Sequence, residues 1–275
     1  MYNQEGWLRR RQQMTTFFYR YAPPLFGEVA EDISLDTGVK PPFSKAPSHM
    51  CSVYYYWWAF LQQDADYRRH SKREPNPQDR VLRDFGDLDA YGSFEGWWRR
   101  VGRKLFSEPA ERGIRWASSP DELPRSDGCV YISVPFRFDM DQTLAELRAI
   151  LKPEMDAQKA QVSLSGARYP VFTKPVLSAL HNRLEVLKLR EAEGITLSEI
   201  GIRLGIGPKG DDAYARNVRE TTVGRYLREA TCIRKWAVRG FFPVVSDKAL
   251  RAADEKGLLR EPGTRVNDGE KMDHI

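Results

Sequence analysis

The sequence predicts a mainly helical α+β protein. Apolar residues recur at three- and four-residue steps through most of the chain, the period of helices with one buried face. The best strand signals are two short stretches, "GIRWASS" and "GCVYISVPFRF". Positive charge gathers in one segment: 165–245 holds 14 Lys+Arg against 8 Asp+Glu, a net +6, which leaves a net −1 elsewhere. At 275 residues two domains are expected rather than one. We place a helical domain with a small β element over 1–165, a basic helical domain over 166–245 and a polar tail over 246–275.

Element by element, residues 1–50 hold amphipathic material and then "GVKPPFSKAP", whose prolines interrupt regular structure. "CSVYYYWWAFLQQDADYRRH" follows. Its apolar residues cover nearly every direction of a helical wheel, which predicts a helix buried on most sides; it is too short to span a bilayer and ends in charges. "HSKREPNPQDR" reads as a loop. In "DFGDLDAYGSFEGWWRRVGRKLFSEP", Ser93 can cap a helix that carries Phe94, Trp97, Trp98, Val101 and Leu105 at helical spacing. In the second strand signal, Val130, Ile132, Val134 and Phe136 alternate with Cys129, Tyr131 and Ser133, so one face is apolar. "DQTLAELRAILKPEMDA" closes this small unit as a helix.

Composition narrows the function classes. Hydrophobic residues at 41% and charged residues at 29% are ordinary for a folded globular chain. The N-terminus lacks the uninterrupted apolar core of a secretory signal, and Cys51, Cys129 and Cys232 are scattered and odd in number, which suits a reducing compartment. We therefore expect a cytoplasmic protein without a membrane role. His49 and Cys51 have no second pair to complete a zinc site, so neither a metal nor a cofactor is expected. A basic region joined to a neutral one points to a polyanion partner.

Three helices can be read in the basic region. The first, over 175–191, puts Val176, Leu180, Leu184 and Leu187 on one stripe. The second opens at Thr196-Leu-Ser-Glu199, the spacing of a capping box, buries Leu197, Ile200 and Leu204, and stops at Gly205. The third, over 222–238, places Val223, Tyr226, Leu227, Ala230 and Ile233 on one side and arginines on the rest. Between the last two, "GPKGDDAYARNVRE" reads as a long turn.

"LSEIGIRLGI", followed by "TTVGRYLREA", resembles the helix-turn-helix of resolvase, sigma-type and related bacterial DNA-binding proteins. The resemblance covers about 65 residues and makes the C-terminal domain a helix-turn-helix bundle. It implies duplex DNA as partner, in a regulator or a subunit of a nucleoprotein assembly, with the third helix entering the major groove. Thr221, Thr222, Arg225 and Arg228 then become candidates for base or nearby phosphate contact. Lys209, Arg216 and Arg219, in the expected turn, would clamp backbone phosphate. The N-terminal domain would serve a protein partner or self-association.

Two other readings compete. "GIGPKG" has glycines beside Lys209, but the spacing is wrong for a nucleotide-binding loop and no hydroxyl follows the lysine. Asp84, Asp87 and Glu95 with Lys104 offer the carboxylates and lysine of a Mg-dependent nuclease, although Asp84 and Asp87 also suit turns and caps. A non-enzymatic interaction scaffold, its arginines merely solvated, is the third possibility.

Overall fold

The computed structural model describes residues 17–27, 40–73, 76, 78–108, 132–134, 139–158, 165–173, 176–255, 259 and 261–263. The protein is mainly helical. No sheet forms among these residues; two isolated β-bridges join Phe18 to Glu108 and Val171 to Phe242. Most of the alternating run near residue 130 lies outside the described residues, and 132–134 carry no regular structure.

Val53–Gln62 (α1) is the hub of the core, as its all-round apolar surface requires. Tyr56, Trp57, Phe60 and Leu61 are fully buried, and the Trp57 ring lies 5.2–6.0 Å from those of Phe85, Phe106, Tyr169 and Phe242. Ala65–His70 (α2) starts on the Asp64 side chain, which accepts from the Tyr67 amide. Arg80–Phe85 (α3) follows. Phe94–Trp97, Trp98–Gly102 and Arg103–Leu105 succeed one another as a single run, α4, whose middle is a π-helix. Ser93 caps α4 by accepting from the Gly96 amide at 3.1 Å.

The chain divides into two units, one of 110–165 and one of 1–109 with 166–275. In the smaller unit Met140–Gln158 (α5) is a helix, and Ile132 and Val134 line a groove with its Leu147 and Ile150.

The larger unit continues with Leu177–Glu193 (α6), Leu197–Leu204 (α7), Ala213–Ala237 (α8) and Asp247–Asp254 (α9). Aromatic residues of α1 and α4 share one core with Leu180, Leu184 and Leu187 of α6 and Ala230, Ile233 and Ala237 of α8. The sequence reading places a boundary near 165. In the structure the apolar faces on either side of 110–165 bury one another, and the Trp57 indole donates to the Ala237 carbonyl at 3.4 Å.

Candidate nucleic-acid interface

α6, α7 and α8 pack pairwise around Val186, Ile200, Ile206 and Val223. The short α7 is closed at both ends by its own sequence. Thr196 Oγ1 accepts from the Glu199 amide at 3.2 Å, while Glu199 accepts from the Thr196 amide at 2.8 Å; Gly205 ends the helix in the left-handed conformation. The Thr196 hydroxyl also donates to the Glu199 carboxylate at 2.7 Å, and this bond, with the one from the Thr196 amide, holds the Glu199 carboxyl below its usual value. α8 crosses α7, with Gly201 against Arg219 and Gly224 against Leu197.

The third helix begins nine residues before the expected start at 222, at Ala213. Asp212 Oδ1 accepts from the Ala215 amide at 2.7 Å, and neither Gly nor Pro interrupts the chain again before Gly224. The expected long turn is therefore only 205–212, and Arg216 and Arg219 belong to the helix.

This longer helix redistributes the predicted contact residues. Thr221, Arg225 and Arg228 are exposed and recur at steps of four and three, so they share one face. Tyr214 and Asn217 extend that face toward the helix start, and Tyr214 is 75% exposed. Sequence reasoning missed both because they were assigned to the turn; the cap at Asp212 was the available signal. Thr222 is half-buried on the flank. Arg216 is exposed but about 140° around the axis from Thr221. Lys209 is exposed in the turn.

Arg219 requires a correction. It is 2% exposed, and its Nη1 donates to the carbonyls of Pro208, at 2.7 Å, and Gly210. A guanidinium so enclosed does not reach a phosphate. Its aliphatic stem fills the hole left by Gly201 and Gly207 where α7 and α8 cross, a hole that exists only after the helices pack.

Charge pairing sorts the remaining cations. Arg183 pairs with Glu229, Arg203 with Glu193, Arg234 with Glu191 and Lys235 with Asp247. Among the described residues, no carboxylate pairs with Lys209, Arg216, Arg225 or Arg228. The Arg225 guanidinium lies 5.3 Å from the centre of the Tyr226 ring, and Arg183 lies 5.5 Å from it.

The nuclease carboxylates are engaged separately, which overturns that grouping. Asp84 accepts from the Tyr169 hydroxyl and Arg168, both at 2.7 Å, and its side chain is 6% exposed. Asp87 caps the turn at Leu88–Tyr91 by accepting from the Asp89 amide. Glu95 pairs with Arg99, and Lys104 lies on α4. Among the described residues no three His, Cys, Asp or Glu side chains gather closely enough to hold a metal ion. Nor is any helix of these residues long and apolar enough to cross a membrane.

No protein-family model, curated protein or solved structure matches the chain.

Proposed function

We propose that the chain binds duplex DNA through the exposed face of α8. The observation that carries this reading is the row Tyr214, Asn217, Thr221, Arg225 and Arg228, which combines cations lacking a carboxylate partner with hydroxyl, amide and aromatic groups on one side of a helix. Arginine can donate two parallel hydrogen bonds to guanine, and Thr, Asn and Tyr supply neutral partners for bases or phosphates. From Tyr214 to Arg228 the row is about 21 Å long, and a major groove about 12 Å wide admits a helix. α6 and α7 brace α8 from its buried side, leaving this row to solvent.

Such binding serves a regulator or a subunit of a nucleoprotein assembly acting on DNA in the cytoplasm. The test is fluorescence anisotropy of labelled duplexes at about 100 mM salt. Arg225→Ala with Arg228→Ala should weaken binding by at least about tenfold. Arg99→Ala, which removes a cation already paired with Glu95, should leave it within about twofold. Equal affinity for all three proteins contradicts the reading.

A further inference from the structure

We propose that Arg219 is a positioning residue that presents the turn 205–212 to a DNA backbone phosphate; this rests on the duplex-binding reading. Arg219 lies fully within the protein on a helix whose other face carries exposed arginines. Its Nη1 holds the Pro208 and Gly210 carbonyls, its Nε donates to Ser198 Oγ at 3.4 Å, and its Nη2 lies 3.6 Å from the exposed Asp211 carboxylate.

The turn is shaped to accept this side chain. Gly207 has φ +86°, and a Cβ there would lie 3.0 Å from Arg219 Cγ. A Cβ at Gly201 would meet Arg219 Cβ and Cδ at 3.2 Å. Gly207 of "GIGPKG" and Gly201 of α7 thus make room for an arginine from within the protein.

Peptide geometry carries the consequence outward. In a planar trans peptide the carbonyl and the following N–H point in opposite directions. With the Pro208 and Gly210 carbonyls turned inward to Arg219, the Lys209 and Asp211 amides turn away from it, and neither has a hydrogen-bond partner among the described residues. The exposed Lys209 ammonium stands between them in the chain. An ammonium flanked by two outward amides is a donor set for phosphate oxygens. The Asp211 carboxylate opposes an incoming anion and is drawn toward Arg219, while the Asp212 carboxylate is occupied in capping α8.

Arg219→Met removes the donors, and Arg219→Lys keeps the charge but loses the fork. Duplex affinity is measured against salt for both, alone and combined with Lys209→Ala, alongside thermal unfolding and trypsin cleavage after Lys209 without DNA. Lys209→Ala in the wild-type background should make the negative slope of log K against log salt shallower by about 0.9. Either Arg219 variant should produce the same loss while still unfolding cooperatively, and Lys209→Ala should then add nothing. Cleavage after Lys209 should quicken by about tenfold as the turn loosens. If Lys209→Ala still removes its full increment in a folded Arg219→Lys protein, the proposal is overturned and duplex binding stands. If the wild type fails to bind any duplex, both fall.

Discussion

Asp84 and Arg219 are buried charges that tie distant backbone together. Asp84 joins α3 to the segment around Tyr169 through two donors, the Tyr169 hydroxyl and Arg168, and also pairs with its neighbour Arg83. Burial, reinforced by the neighbouring Asp84 charge, pushes the Tyr169 hydroxyl far above its usual range, so it remains a donor to the carboxylate at all ordinary pH. Asp84→Asn should lower unfolding stability by about 2 kcal/mol in a urea titration and leave the DNA affinity of the folded protein unchanged. A nuclease role would instead predict unchanged stability and lost cleavage. Neither residue's task was legible in the sequence. Arg168 and Tyr169, which Asp84 holds across the fold, lie more than eighty positions away, and the space for Arg219 is made by two glycines on another element and its following turn.

At the scale of the element, local signals were read best. The α7 capping box, its glycine stop and the Ser93 cap are written within a few residues, and the structure contains all three. The start of α8 was missed because Gly, Pro and Asp around 207–212 signal a turn, and Asp212, which caps the helix, suits a turn as well as a helix start. Asp212→Ala should remove that start signal and lower stability by about 1 kcal/mol, with fraying at Ala213–Asn217 visible as faster amide exchange. Thr196→Ala should cost α7 a similar amount. Glu199 has a pKa lowered on folding, so its contribution is present above the unfolded-state value and is lost as pH falls through the lower folded value. Following the Thr196 amide resonance on acidification should show the cap holding past the ordinary glutamate range and then opening. An amide that titrates at the unperturbed value contradicts this account.

Across the whole molecule, the mainly helical class was legible from apolar periodicity, whereas the way the chain closes on itself was not. Periodicity shows that α1, α6 and α8 each have a face to bury, but not that aromatic residues near 57 and helices near 184 and 233 bury those faces together. Charge followed the same pattern. The excess in 165–245 was visible by counting, but pairing and burial depend on helix packing, and these together with the helix face leave Arg225 and Arg228 as the cations of the α8 row. The central claim is that this row meets the phosphates and bases of duplex DNA. Its most direct test is the slope of log K against log salt for the wild type and for Arg225→Ala with Arg228→Ala. If both arginines contact phosphate, the double variant should make the negative slope shallower by about 1.8; an unchanged slope, or no duplex binding by the wild type at low salt, contradicts the claim.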